Sequence, residues 1–325
     1  MIGSPKIILD CCPLFSLLDL DYFAVGCYLA KKETMKKNKA NSFSCYYLTL
    51  IMVIIFSMGK PVYSQQPVSD SSFHPYHVNY WVTGSILTVG LTTNLIGITT
   101  VLGKKDVTLA EIQSLDRSVI NNLDYWSLKQ DPSKASANGV YSDYVLGASI
   151  VLPGLLFFDK SIKHDWFDIL LMYTETMSIT TNIFEWSFLG PTFQNRLRPV
   201  TYYEQLTYEE KKSGHNRNSF YSGHVASAAA STFFMAKVYS DYHPEIGNNK
   251  YFLYAAAMVP PLVLGYFRIK ALKHFTSDVM VGIGIGALCG ILIPEFHRIK
   301  YDNITLGLYS SLEATGVAIK WQPKF

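Results

Sequence analysis

Charged side chains are scarce in this chain. Asp, Glu, Lys and Arg make up 16% of its 325 residues, whereas 49% of the residues are hydrophobic. A soluble domain usually contains about a quarter charged residues. The formal net charge is only +3, and no basic tract is interleaved with aromatic residues, so nucleic acid is not expected as a partner. The composition indicates a membrane protein.

Metal-binding and disulfide patterns are also missing from the sequence. The five cysteines form no Cys-x-x-Cys pair, and no set of Cys and His has the spacing of a zinc site. No cluster of Asp and Glu suggests a magnesium ion. We therefore expect no disulfide framework, no metal centre and no cofactor.

Two methionines, Met1 and Met35, can start the chain. Met35 is followed by lysines, a short apolar run and a Val-Tyr-Ser ending, which is typical of a secretory signal peptide that is cleaved after Ser64. Residues 1–64 are then an upstream extension plus a signal peptide. The alternative is a start at Met1 with residues 46–58 as an uncleaved anchor.

Apolar stretches dominate the rest of the chain after a polar linker at residues 65–79. Each is long enough to cross a bilayer or to be buried in a large bundle. They cover residues 81–102, 144–158, 166–189, 225–239, 251–267 and 279–294. The sequence thus predicts an all-α, multi-pass membrane bundle of about six helices at 80–297. Residues 298–325 are predicted to be a short extended tail, with a hairpin as one interpretation.

Two further patterns concern helix surfaces. Gly282, Gly286 and Gly290 repeat every four residues, which predicts a small helix face for close packing. Between the first two apolar stretches, Thr108 begins a Thr-x-x-Glu capping box, and apolar residues follow at helical spacing. We expect residues 108–129 to form one amphipathic helix on the membrane surface, with an ordinary packed helix as the alternative.

Polar clusters occur where the predicted helices end. Residues 195–199 read NRLRP, residues 219–224 read SFYSGH, and residues 267–278 read FRIKALKHFTSD. In an antiparallel bundle all three clusters fall on the same side of the membrane. The topology therefore brings together five candidate site residues, namely Arg198, His224, Arg268, His274 and Asp278.

These residue types suit phosphoryl transfer. Arginine side chains bind phosphate oxygens through charge-assisted hydrogen bonds, and the backbone N–H groups of Ser222 and Gly223 at a helix start favour an anion. His274 and Asp278 share a helix face, so the carboxylate can hold one imidazole nitrogen while the other attacks phosphorus. His224 can protonate the leaving oxygen.

The three clusters resemble the motifs of the type-2 phosphatidic-acid phosphatase and vanadium haloperoxidase superfamily, over about residues 80–297. The resemblance implies a metal-independent hydrolase with a phosphohistidine intermediate on His274, His224 as general acid and Asp278 as the residue that orients the nucleophile. It also implies a set of phosphate-binding residues, namely Arg198, Arg268, Ser222 and Gly223.

The chain departs from the family pattern at its first motif. The family has a lysine seven residues before the Arg-Pro arginine, and Pro191 stands there. Arg196 and Arg217 are candidate replacement cations. Smaller departures are Tyr221, where the family has proline, and Phe267, where it has serine.

The tripeptide Ser-Gly-His occurs twice, ending at His215 and at His224. His224 directly precedes an alanine-rich predicted helix and has the family's flanking residues, whereas His215 lies in a charged loop. We expect His224 to be the catalytic copy.

The resemblance implies a phosphoric ester hydrolase of the cell membrane that acts on a phospholipid or polyprenyl phosphate, with its active site facing the periplasm. Candidate substrates are phosphatidic acid, phosphatidylglycerol phosphate, a polyprenyl pyrophosphate and a lipid A phosphate. The alternatives are a soluble-type acid phosphatase, a vanadate-dependent haloperoxidase and a degenerate member that binds phospholipid head groups, or transports them, without turnover. The oligomeric state is not indicated by the sequence.

Overall fold

Six long helices form a bundle in the computed structural model, which describes residues 73–298 and the backbone of 304–310 and 315–321. They are α1 (Tyr80–Leu102), α2 (Ala135–Val151), α3 (Trp166–Trp186), α4 (Gly223–Tyr242), α5 (Lys250–Lys270) and α6 (Thr276–Phe296). The predicted all-α bundle of about six helices is confirmed. The signal peptide or anchor at 1–64 lies outside the described residues.

The C-terminal tail contains two strands, β1 (Ile304–Ser310) and β2 (Thr315–Trp321). They pair in an antiparallel register, with Ile304 opposite Trp321 and Ser310 opposite Thr315. The β-branched and aromatic residues that suggested an extended segment thus lie in a short hairpin.

Helix α4 is the centre of the bundle. Most of its residues are buried, and it packs against α6, α5, α3 and α2. Its alanines and serines keep these neighbours close. At Gly286 of α6, a Cβ atom would lie only 2.1 Å from the carbonyl oxygen of Ala226 in α4. The glycine face predicted from the sequence therefore sets the distance and register between α4 and α6.

Four of the described helical segments are long and apolar enough to cross a membrane. They are Tyr80–Leu102, Pro132–Phe158, Pro244–Lys270 and Thr276–Phe296. Helix α4 is not among them, because it is enclosed by the other helices and needs no lipid-facing surface. Helix α3 is also not one of the four candidates, and it carries three acidic residues, Asp168, Glu175 and Glu185. The protein is a multi-pass membrane protein whose central helix, α4, lies among more apolar ones.

The two ends of the bundle differ in what they hold. At one end the backbone of Tyr76 bridges to that of Arg298, so the start of α1 and the end of α6 meet there. The other end holds three connections, 103–134, 187–222 and 271–275, which we call the site end. Exposed aromatic residues occur at both ends, among them Trp126 and Phe188 at the site end and Trp81 and Phe158 at the other. Such aromatic rings are enriched where a protein meets the two membrane interfaces.

The prediction of one helix at 108–129 is wrong. The Thr108 capping box forms as expected, but the helix ends after five residues. That helix is Leu109–Gln113, and the short pieces Arg117–Val119, Asn122–Tyr125 and Trp126–Lys129 follow it. The side chains of Asp116 and Asn121 each accept a hydrogen bond from a backbone N–H group. Each such cap starts a new turn and competes with a continuous helix.

The connection between α3 and α4 is similarly built from single turns. It contains Pro199–Tyr202, Tyr208–Lys211 and Gly214–Arg217. Backbone hydrogen bonds tie it to its neighbours, from Val200 to Leu272 (3.2 Å) and from Val107 to Lys212 (2.6 Å). The three connections of the site end are thus fastened to one another.

Candidate active site

His274 is buried in the connection between α5 and α6. Its Nδ1 atom lies 2.7 Å from the carbonyl oxygen of Ser219. A carbonyl oxygen only accepts hydrogen bonds, so Nδ1 carries the hydrogen and the lone pair of the neutral imidazole is on Nε2. The tautomer of His274 is therefore set by the backbone of the Ser-Gly-His motif.

Asp278 contacts His274 less directly than the sequence suggested. The distance from His274 Nδ1 to Asp278 Oδ2 is 3.8 Å, too long for a hydrogen bond. Asp278 Oδ2 instead accepts hydrogen bonds from Ser219 Oγ (2.6 Å) and from the backbone N–H of Phe275 (2.7 Å). The expected direct hydrogen bond is replaced by a path through Ser219, whose hydroxyl binds Asp278 and whose carbonyl binds His274.

Arg196 bridges two fully buried carboxylates. Its Nη1 atom is 2.5 Å from Asp278 Oδ1, and its Nη2 atom is 2.6 Å from Asp124 Oδ2. The guanidinium also lies 4.4 Å from the centre of the Phe275 ring. Two carboxylates removed from water need such a partner, because an unpaired buried charge is costly. The charge of Arg196 is thus used to hold Asp278 and Asp124.

Asp124 is a site residue that sequence reasoning missed. It comes from the short helix Asn122–Tyr125 and accepts hydrogen bonds from the backbone N–H and the hydroxyl of Ser277, both at 2.8 Å. Burial alone would raise the pKa of Asp124, but these bonds and the one from Arg196 outweigh it and hold the pKa below its usual value. The only local signal was an Asn-x-x-Asp cap, which predicts a turn and not its distant partners.

The start of α4 supplies Ser222, Gly223 and His224. The backbone N–H of Ser222 donates to the carbonyl of Asp278 at 3.1 Å, so this N–H already has a partner within the protein. The Ser222 hydroxyl is buried and has no hydrogen-bond partner among the described residues. A Cβ atom at Gly223 would lie 3.1 Å from the Phe184 ring, and His224 is half-buried in the first turn.

The two arginines proposed to bind phosphate are both buried, Arg198 at 7% and Arg268 at 1% exposure. The backbone N–H of Arg198 donates to the carbonyl of Asn216 at 2.8 Å. Arg268 lies in the last turn of α5 against α2, with Nη1 3.5 Å from Ser142 Oγ and 3.8 Å from Asp143 Oδ1. Asp143 is thus a nearby counter-charge that the sequence did not indicate.

Comparison with known proteins identifies the family. The sequence model of the PAP2 superfamily matches residues 167–302, a segment that includes all three motifs. This part of the chain belongs to the PAP2 superfamily. The resemblance stated from the motifs is thereby confirmed.

One solved structure is similar to this chain. It is described as the first transmembrane PAP2 type phosphatidylglycerolphosphate phosphatase from Bacillus subtilis, is 20% identical, and has a TM-score of 0.37. The match covers 66% of this chain and 94% of the other. No curated protein matches the chain.

Arg196 and Arg217, the two candidate replacements for the missing lysine of the PAP2 motif, both bind protein groups in the structure. Arg196 is bound by two carboxylates, as described above. Arg217 makes two hydrogen bonds to Glu111, at 2.8 and 2.7 Å, and further bonds to the carbonyls of Lys105 and Asp106. Both guanidinium groups thus have their hydrogen-bond and charge partners within the protein.

The two Ser-Gly-His copies occupy different surroundings in the structure. His224 is in the first turn of the central helix α4, beside Ser222 and the residues that bind His274. His215 lies in the single turn Gly214–Arg217, which is fastened to residues 105–111 by Arg217. Among the residues 73–298, no group of three or more His, Cys, Asp or Glu side chains could hold a metal ion.

Proposed function

We propose that the protein is a membrane lipid phosphatase that hydrolyses a phosphate monoester or pyrophosphate through a phosphohistidine on His274. The observation that carries this proposal is the hydrogen bond from His274 Nδ1 to the Ser219 carbonyl, which leaves the lone pair on Nε2. A neutral imidazole in this tautomer is a nucleophile, and the motifs of the same PAP2 region carry two buried arginines, Arg198 and Arg268. The apolar helices around it favour a lipid substrate.

In the first step, Nε2 of His274 attacks phosphorus and a phosphorus–nitrogen bond forms. The bond from phosphorus to the leaving oxygen breaks, and that oxygen takes a proton from His224. Arg198 and Arg268 bind the phosphate oxygens on which negative charge develops. Asp278 acts through Ser219 and keeps the imidazole in position.

In the second step, water attacks phosphorus and the phosphorus–nitrogen bond breaks. His224, now neutral, takes a proton from the water molecule. Inorganic phosphate leaves, and both histidines return to their starting protonation states. No step requires a metal ion or an organic cofactor.

Phosphate release by the purified protein in detergent tests this proposal. The panel contains phosphatidic acid, phosphatidylglycerol phosphate, a polyprenyl diphosphate and a lipid A phosphate, each with and without EDTA. We expect steady release from at least one substrate, unchanged by EDTA, inhibited by vanadate and abolished by His274→Asn. Activity that is lost in EDTA and restored by Mg²⁺ would contradict the metal-independent mechanism.

A second candidate function is binding of phospholipid head groups without turnover. It is favoured by Pro191, because the cation that the family has there is missing and both arginine replacements are engaged elsewhere. Vesicles containing phosphatidic acid would then bind the protein while no substrate of the panel released phosphate. A soluble-type acid phosphatase is disfavoured by the four membrane-spanning candidates.

The site end is proposed to face the periplasm, as the family resemblance implies. Three helices, α1 to α3, lie between residue 79 and the connection that carries Arg198. If each of them crosses the membrane, residues 73–79 lie in the cytoplasm. That arrangement and signal cleavage after Ser64 are incompatible, because cleavage leaves residue 65 outside.

A further inference from the structure

Lys104 follows α1 and lies against the connection that carries Arg198. Its Nζ atom donates to the carbonyl of Gln194 (2.6 Å) and to Asn195 Oδ1 (2.9 Å). These two acceptors are exposed, whereas Arg198, only three residues further along, is buried. The connection thus runs from the surface into the site, with Lys104 at its outer part.

The other half of the site is joined to the same segment. The side-chain amide of Asn218 donates to the carbonyl of Val101 at 3.0 Å, and the guanidinium of Arg217 donates to the carbonyl of Lys105 at 2.9 Å. Residues 217 and 218 lead directly into the stretch Ser219–His224. Lys104 is therefore fixed where the first and last parts of the 187–222 connection come together.

The charge of Lys104 is compensated differently from that of its neighbours. Arg196 is paired with two aspartates, Arg217 with Glu111 and Lys212 with Glu209. Within the part of the chain that the structure describes, Lys104 has only neutral acceptors. Partial burial and, to a smaller extent, the nearby Arg217 lower the pKa of Lys104 to about 8. A half-buried cation beside a second cation favours an anion from outside the protein.

We propose that Lys104 binds an anionic group of the substrate other than the phosphate that is hydrolysed. This inference rests on the proposed phosphatase function. The hydrolysed phosphate lies deep, at His274 and the two buried arginines, and a second phosphate of the same lipid lies further out, at the level of Gln194 and Asn195. The substrate class is then a lipid that carries two phosphate groups, either a diphosphate or a monoester attached beyond a phosphodiester.

Kinetics on two polyprenyl substrates of equal chain length, a diphosphate and a monophosphate, test the inference. The variants are Lys104→Gln, Lys104→Arg and the matched control Lys105→Gln, which removes an exposed neighbouring lysine. Because a charge-assisted contact is lost, we expect Lys104→Gln to raise KM for the diphosphate about tenfold or more. We expect little change for the monophosphate, and near-normal values for Lys104→Arg and Lys105→Gln.

The pH dependence gives a second readout that a merely structural lysine would not change. Lys104 loses its proton as the pH rises through about 8, so KM of the wild type for the diphosphate should rise between about pH 7 and pH 9. Lys104→Arg stays charged over this range, so its KM should change less.

Three outcomes would overturn the inference. KM values for Lys104→Gln could equal those of Lys105→Gln, or the loss could be the same for both substrates, or KM of Lys104→Arg could rise with pH as in the wild type. If the wild type releases phosphate from neither polyprenyl substrate, phosphatidylglycerol phosphate and phosphatidic acid take their places as the lipids with two phosphates and with one. A wild-type protein that releases phosphate from no substrate of the whole panel would contradict the proposed phosphatase function itself. The activity of the wild type thus separates the two failures.

Discussion

The three histidines near the motifs are distinguished by what surrounds each side chain. His274 is buried with Nδ1 on the Ser219 carbonyl, His224 is half-buried at the start of α4, and His215 lies in a single turn of a loop. We expect His274→Asn to abolish turnover, because no phosphohistidine can form. His224→Ala should lower kcat by about 10²–10⁴-fold on a lipid phosphate.

The leaving group separates a general acid from a structural histidine. The phenolate of p-nitrophenyl phosphate needs little protonation, so His224→Ala should be milder on this substrate than on a lipid phosphate. His215→Ala should change either activity little. If His215→Ala were as damaging as His224→Ala at equal expression, the assignment of the Ser-Gly-His motif would be wrong.

Asp124 is the residue through which the 108–129 segment reaches the site. Asp124→Asn removes one of the two carboxylates that share Arg196 and leaves the other partners buried. We expect it to destabilise the fold by about 3–5 kcal/mol and to lower kcat, because Arg196 and Asp278 lose their fixed geometry. Denaturation in detergent and kcat on a lipid phosphate measure the two effects.

Asp116→Asn is the matched control for Asp124→Asn. Asp116 lies in the same segment but is exposed, and its side chain only caps the turn at Ser118. Its replacement should change stability little and leave kcat unchanged. Equal effects of both substitutions would contradict a role of Asp124 in the site.

These residues show where sequence reasoning reaches its limit. His274, His224 and the two arginines could be proposed from the sequence because each stands in a short motif with a recognisable spacing. Asp124, in contrast, binds Ser277, which is 153 positions away in the chain. Its role depends on how a broken loop folds over α6, and no local pattern encodes that. The same holds for Ser219, whose backbone carbonyl takes the position expected for the Asp278 carboxylate.

Among the structural elements, the contact between α4 and α6 positions two of the three motifs. Ala at position 286 would place a Cβ atom 2.1 Å from the Ala226 carbonyl. Gly286→Ala should therefore push α6 away from α4, destabilise the fold by about 1–3 kcal/mol and lower kcat. At Gly284 of the same helix, a Cβ atom meets nothing within 4 Å, so Gly284→Ala should be neutral or slightly stabilising. Thermal unfolding and phosphate release compare the pair, and equal losses would contradict this role of the glycine face.

The ion pair between Glu111 and Arg217 fastens the 103–111 segment to the turn at 214–217. The hydrogen bonds from Arg217, followed by those from Thr108, lower the pKa of Glu111 from 4.5 to about 2. A carboxyl with a lowered pKa in the folded state stabilises the protein above its unfolded pKa. The difference in melting temperature between wild type and Glu111→Gln should thus be constant above about pH 5 and shrink as the pH falls towards 2. A difference that stayed constant down to pH 3 would contradict this pKa.

The long helices were predictable as elements, whereas the short ones were not. Apolar runs of membrane length and a four-residue glycine repeat are strong signals, and each of the six runs lies mainly in helix. Residues 108–129 carry an equally regular apolar spacing, but Asp116 and Asn121 cap new turns and divide the segment. The competition between a side-chain cap and a continuing helix was decided by tertiary contacts, Asp124 with Ser277 and Ser127 with Thr276.

At the scale of the whole molecule, the number of crossing helices between two segments determines whether they lie on the same side of the membrane. The backbone of His77 donates to the carbonyl of His297 at 2.8 Å, so the bundle begins and ends at the same side. Any assignment of the site end to the periplasm therefore places residues 73–79 and 297–298 in the cytoplasm. Cleavage of the signal peptide expected at Met35 would instead leave residue 65 in the periplasm. The two expectations therefore conflict if all six helices cross the membrane.

Labelling with a membrane-impermeant thiol reagent in intact cells decides between the two arrangements. Gln205→Cys places a thiol in an exposed loop of the site end, and Asn248→Cys places one in an exposed loop of the other end. The native Cys289 is buried, and the unsubstituted protein measures background labelling. A periplasmic site predicts that Gln205→Cys reacts in intact cells and that Asn248→Cys reacts only after the cells are opened. The reverse pattern would place the site in the cytoplasm, where the substrate would be a lipid phosphate of the inner leaflet.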